Sequence, residues 1–260
     1  KELKIGKYAS NQSVEAILDG NKFFQRHAAI VGSTGSGKSF SVANILEKTN
    51  ALEYSNIIIF DLHGEYNELS YAKQIKIGDT ANDLQIPLWF FNYEEIHSLF
   101  IESSEGTSSN QRAVVVKHIL SKKKEYIDSK ANFSSDIVTV DTPIPFSTKE
   151  LKEYLENENI KEERTGETYK SGEKKGQEKT RQGQYYSKLT NLITRLQTKM
   201  DDKKYGFVFN ERHTLDSKYL NRFISEIMGR DNHIKVIDLS EIPSDMLSIV
   251  IGIVTTLVYD

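Results

Sequence analysis

The octet Gly32-Ser33-Thr34-Gly35-Ser36-Gly37-Lys38-Ser39 constrains this chain more than any other stretch. It has the form G-x-x-x-x-G-K-[ST], a loop that belongs between a strand and a helix. Both flanks fit. Ala28-Ala29-Ile30-Val31 reads as a short strand leading in, and Phe40 to Lys48 has helical spacing, with Val42, Ile45 and Leu46 on one face. The glycines free the backbone to turn successive N–H groups inward, and the start of the helix adds the positive end of its dipole. The stretch from Gly32 to Phe40 is therefore expected to cradle phosphates. Lys38 is expected at the β- and γ-phosphates, and the Ser39 hydroxyl on Mg²⁺. The alternative, a glycine-rich turn with a surface lysine, explains the octet but not its flanks. The implied ligand is ATP with Mg²⁺.

Composition fits this reading without sharpening it. A chain of 260 residues, 38% apolar, can bury one good core. It has no cysteine, which excludes disulfides and thiolate metal sites and suits a cytoplasmic location. The net charge of −3 argues against whole-surface attraction to nucleic acid and leaves only a local basic lining. No signal-peptide pattern opens the sequence. The longest apolar stretch, Met246 to Tyr259, falls short of the roughly 20 residues that span a bilayer and reads as a buried helix. No membrane partner is expected.

The fold class expected is α/β, a P-loop core with a mostly helical insertion. Residues 1–25 read as an N-terminal β segment (Leu3-Lys4-Ile5, Val14 to Leu18, a turn at Asp19-Gly20). Residues 26–92 and 205–260 read as the core. Its strands are expected at 28–31, at Asn56 to Asp61, at Gln85 to Phe91, at Tyr205 to Asn210 and at His233 to Leu239. Residues 93–204 read as the insertion, with helices at Asn110 to Tyr126 and Tyr185 to Met200. Within it, 161–184 has little to bury and reads as a mobile charged connector or a solvated helix extension, the lesser alternative being a basic nucleic-acid finger. Two strands end in aspartate. Asp61 sits where open α/β sheets hold ligands, and Asp238 reads as a cap for the following loop or, less simply, a Mg²⁺ partner.

Three segments together resemble the HerA branch of the HerA/FtsK motor ATPases: Gln25-Arg26-His27 running into the octet, Ile58-Ile59-Phe60-Asp61-Leu62-His63-Gly64-Glu65-Tyr66, and Val236-Ile237-Asp238-Leu239-Ser240-Glu241-Ile242-Pro243 before an apolar helix. The resemblance implies a RecA-like core in a homo-hexameric ring, hydrolysing ATP to move on double-stranded DNA. The implied partners are a nuclease or, in antiviral operons, a sirtuin-type effector. It assigns Lys38 and Ser39 the loop roles, Asp61 and Glu65 the polar roles beside Mg²⁺ and the attacking water, and Arg26 the γ-phosphate. Metal contact falls to Ser39 and Asp61. Arg26 as an exposed strand-end charge, and Glu65 as a first-turn helix residue, are the plainer alternatives; His63 reads as structural. The resemblance also implies that residues 1–25 are the remnant of a barrel, and that a strand bearing a catalytic glutamate lies beyond Asp260. A nucleotide-bound hexameric scaffold for an effector, with little translocation, is the alternative from another functional class.

Overall fold

The computed structural model describes residues 2–52, 55–101, 106–130, 134–211 and 214–259. Asp260, past which a further strand is expected, lies outside them. The N-terminal segment is an antiparallel hairpin of β1 (Glu2–Tyr8) and β2 (Asn11–Asp19), reversing at Ala9-Ser10. Asp19 does not turn the hairpin. It caps the short helix α1 (Gly20–Phe24), accepting from the Asn21 and Lys22 amides at 3.1 and 3.3 Å. The strand expected at 28–31 pairs with nothing among the described residues, and residues 24–37 are exposed throughout.

Helix α2 (Lys38–Asn50) starts directly on the phosphate loop, with Gly37 at φ 86° as its N-cap. Next come β3 (Ile57–Asp61) and β4 (Lys73–Lys76). Gln85 to Phe91 is not a strand. It bends through one tight helical turn at Leu88–Phe90, and Leu88, Trp89, Phe90 and Phe91 are all buried. A short apolar run does not choose its own period, and here the core encloses successive side chains on every side.

The stretch from 93 to 204 holds α3 (Tyr93–Phe100), α4 (Ser108–Asp128), α5 (Thr148–Ile160), β5 (Glu162–Thr168), β6 (Glu178–Gln182) and α6 (Thr190–Asp201). The expected connector is thus an antiparallel hairpin, β5 against β6. The Tyr205 to Asn210 strand is likewise replaced by a helical turn at Lys203–Tyr205 and by α7 (Gly206–Phe209). Its carbonyl at Phe207 accepts from the Ile86 amide at 2.9 Å, which plugs this turn into the core. The chain ends with α8 (Lys218–Met228), β7 (Ile234–Asp238) and α9 (Ser244–Tyr259).

The sheet is parallel, in the order β3-β7-β4 among the described residues. β7 is its buried centre, as its continuous run Ile234-Lys235-Val236-Ile237 requires. The best-packed core lies towards the helices. Trp89, Phe90 and Phe223 meet edge to face, and the Trp89 indole N–H donates to the Thr214 carbonyl at 2.9 Å. By contrast α2 buries only Leu46 and Thr49.

Candidate active site

β3 and β7 stop at the same level, with Asp61 opposite Asp238 and Lys76 of β4 opposite Asp238 on the other side. Loops beyond these carboxyl ends face the phosphate loop, the edge where parallel sheets hold ligands. Asp61 is 2% exposed, and its carboxylate is wrapped by backbone amides. One oxygen accepts from His63 at 3.3 Å and Glu65 at 3.1 Å, the other from Tyr66 at 2.8 Å. These bonds wind residues 62–66 into a tight turn.

Gly64 makes that turn possible, at φ 70°, where a residue with a Cβ is strained. A Cβ there would also lie 3.1 Å from the Asn67 side-chain nitrogen. No helix begins at this point, so the first-turn helix reading of Glu65 fails; it is a turn residue held by Asp61. Its side chain reaches the phosphate loop, where the Ser39 hydroxyl donates to Glu65 Oε2 at 2.6 Å. Burial pushes the nearby Tyr66 phenol up, helped by the Glu65 and Asp61 charges and opposed by the Ser39 hydroxyl.

Within the loop, the Lys38 ammonium curls over its own backbone, donating to the carbonyls of Gly32 at 2.9 Å and Ser33 at 2.8 Å. Gly35 and Gly37 take φ of 76° and 86°, and a Cβ at Gly32 would collide with the Ser36 hydroxyl. Phe40 is 78% exposed, and Arg26 is exposed with no ion pair among the described residues. The structure therefore brings Lys38, Ser39, Asp61 and Glu65 into one locale by bonding or chain adjacency, and leaves Arg26 and Phe40 facing out.

Asp238 organises the neighbouring loop. It accepts from the Ser240 amide at 2.9 Å and from the Asn67 side chain at 3.2 Å. Burial works against its charge, but the Ser240 and Asn67 hydrogen bonds and the nearby Lys76 outweigh it, and its carboxyl lies below the usual range. Asp238 is a loop cap, as the simpler sequence reading has it. Asn67 and Ser240 join the two strand-end loops; sequence reasoning gave neither a role, because Asn67 lies just outside the 58–66 segment and Ser240 stands inside the 236–243 segment without chemistry of its own.

The residues present fit a triphosphate and its cation. The Lys38 ammonium is held by neutral carbonyls in a glycine cradle where a Cβ at position 32 would displace the Ser36 hydroxyl, and anionic oxygens would bind it more strongly. Ser39 and Glu65 offer hard oxygen donors of the kind Mg²⁺ takes. Among the described residues, no group of three or more acidic, histidine or cysteine side chains could cage a metal alone. A cation shared with phosphates needs only one or two protein oxygens.

A glycine-rich phosphate loop opening a helix, beside a parallel sheet whose strand-end turn delivers an acid to the loop hydroxyl, defines a mixed α/β domain of the P-loop NTPase type. The model of the family described as "Helicase HerA, central domain" matches residues 3–258, and the chain belongs to that family. Among curated relatives, a probable helicase of Methanocaldococcus jannaschii is 32% identical over 164 residues, 62% of this chain and 29% of that protein. A probable DNA double-strand break repair helicase HerA of the same organism is 40% identical over 67 residues, 26% of this chain and 13% of its own length. The DNA double-strand break repair helicase HerA of Saccharolobus solfataricus is 37% identical over 83 residues, 32% of this chain and 16% of its own. The matched segments span less than a third of each relative. No helix among the described residues is long and apolar enough to cross a membrane.

Proposed function

We propose that this chain is the ATP-hydrolysing core of a DNA motor. In this reading a RecA-like core with a helical insertion assembles as a cytoplasmic hexameric ring on double-stranded DNA, alongside a nuclease or sirtuin-type effector. The observation that carries it is the 2.6 Å bond from Ser39 to Glu65, which joins the phosphate loop to an acid on the turn after the next strand. Phosphoryl transfer to water needs positioning and charge stabilisation more than covalent help. Lys38 supplies the positive charge over the phosphates. Glu65 orients and deprotonates the attacking water, and Asp61 fixes the turn that carries Glu65 and lends its charge to the metal side. Mg²⁺, held by Ser39 and the phosphates, supplies charge neutralisation when bound.

The exposure of residues 24–37 supports a nucleotide shared between subunits, since the outer side of the loop is open to a neighbour. Arg26, exposed and without an ion pair among the described residues, is the group proposed to face a γ-phosphate, in its own or the adjacent subunit. The test is ATP turnover of the full-length protein with and without duplex DNA. Stimulation by duplex supports the motor. Turnover indifferent to duplex, from a ring that remains assembled, supports the scaffold reading instead.

A further inference from the structure

The segment 161–184, whose composition suggests a mobile connector, is drawn into an arm by the β5–β6 hairpin. At its root the Gly183 amide donates to the Lys161 carbonyl at 2.9 Å and the Ser187 amide to the Asn159 carbonyl at 2.8 Å. The stem is polar, and its charges are matched across the two strands. Arg164 pairs with Glu178 at 3.3 Å, Glu167 with Lys179 at 3.0 Å and Glu163 with Arg181 at 3.0 Å. Glu162 accepts from the Thr180 hydroxyl at 2.7 Å. Every charged side chain of β5 and β6 therefore has a partner on the opposite strand. At ~3.4 Å per residue the stem extends about 20 Å from its root.

The tip breaks this balance. The loop 169–177 is closed by the Tyr169 amide on the Gln177 carbonyl at 3.0 Å and the Gly176 amide on the Tyr169 carbonyl at 2.9 Å. Gly172 and Gly176, at φ 83° and 87°, let the chain reverse within it. It holds Lys170, Lys174 and Lys175 against the single acid Glu173, and all three lysines are exposed and make no ion pair among the described residues. A chain with a net charge of −3 thus places an unbalanced cluster of cations at the end of a braced arm.

We propose that this tip, through Lys170, Lys174 and Lys175, contacts the phosphate backbone of duplex DNA; the proposal rests on the motor reading. A protein partner is the poorer fit, because tight protein interfaces are anchored by buried aromatic or apolar side chains. The one aromatic at the tip, Tyr169, is half-buried, with the Lys179 ammonium 5.9 Å from its ring centre. Binding to phosphates needs charge and little else, and it carries no sequence preference. The stem pairing has a clear role in this: it keeps the stem glutamates turned to their own hairpin rather than towards the DNA.

The experiment compares the unmutated full-length protein, the triple variant K170A/K174A/K175A and the triple variant K170R/K174R/K175R for binding to mixed-sequence duplex across a salt series. Removing one lysine that neutralises a phosphate should flatten the slope of log affinity against log salt by about 0.9, so the alanine variant is expected to drop roughly 2 to 3 from the slope. The arginine variant is expected to keep it. An unchanged slope in the alanine variant, with the unmutated protein binding duplex, overturns the role of the arm and leaves the motor standing. Absence of duplex binding by the unmutated protein at low salt overturns both. None of the three lysines pairs with another side chain among the described residues, so the substitutions break nothing in the fold.

Discussion

Asp61 and Asp238 stand in register across adjacent parallel strands, and each carboxylate organises a different loop. Asp61 binds the amides of His63, Glu65 and Tyr66; Asp238 binds Ser240 and Asn67. Two acids side by side would repel if left bare. Here the Asp61 charge is answered by three amides of its own loop, the Asp238 charge by Ser240 of its own loop and Asn67 of the Asp61 loop, and Lys76 adds a cation beside Asp238. The pair fixes the floor on which Glu65 meets Ser39.

Lys38→Ala should abolish ATP hydrolysis and weaken triphosphate binding while the fold is kept. The side chain donates only to the loop carbonyls of Gly32 and Ser33, so its loss removes charge at the phosphates and little internal structure. Turnover near the unmutated rate would sink the assignment.

Glu65 and Asp61 should separate by their effect on stability. Glu65→Gln is expected to cut turnover by about two orders of magnitude with ATP still bound and thermal stability unchanged, because Glu65 is exposed. Asp61→Asn should lower turnover and also cost about 1–3 kcal/mol, because it weakens buried hydrogen bonds to three amides. Parallel kinetics and thermal melts check this. A destabilised Glu65→Gln, or an unaffected melt for Asp61→Asn, contradicts it.

Gly64→Ala tests the turn itself. A Cβ at φ 70° costs about 1–2 kcal/mol, and it would press on the Asn67 side chain that holds Asp238. The expected outcome is a modest loss of stability with a larger loss of turnover, as Glu65 moves off Ser39. Equal kinetics for the two proteins would show that the turn tolerates the change.

Lys123 makes stability depend on pH. It is fully buried in α4, donating to the Val140 and Thr142 carbonyls at 2.5 and 2.6 Å. Burial lowers its ammonium from the usual 10.5 to about 7, with Asp141 pulling the other way. Between those values the unfolded chain binds more protons than the folded one, so stability should rise with pH across that window. Lys123→Met should flatten this rise, while leaving two carbonyls unpaired at a cost of about 1–3 kcal/mol. Denaturation midpoints at about pH 7 and about pH 9 for both proteins read the difference; an equal rise in each refutes it.

The sequence shows those parts whose signal is local. The octet, the run into Asp61, the run into Asp238 and the final apolar helix each carry their pattern within a few residues, and the structure forms β3, β7, α2 and α9 there. The α5 helix escaped notice because its sequence is mostly polar. Its markers are small: Ser147 accepts from the Glu150 amide as N-cap, and Leu151 and Leu155 are buried one turn apart. The β5–β6 hairpin escaped for a different reason. Cross-strand ion pairs and glycine turns hold it, and composition does not reveal pairing. Misread strands at 85–91 and 205–210 are short apolar runs whose period the surrounding core decided. The Ser39–Glu65 bond joins positions 26 apart, a meeting that only the folded sheet creates.

The thin burial of α2 and of residues 24–37 has a consequence for where the molecule opens first. Amide hydrogens of α2 should exchange with solvent well before those around Phe223 and Trp89, whose side chains are almost fully buried in the core. A triphosphate that binds only the closed loop would redistribute that gradient, adding about 2.7 kcal/mol at a hundredfold excess over its dissociation constant. Nucleotide would then serve as a structural member of the loop edge, and emptying the site after hydrolysis would return that edge to its loosest state.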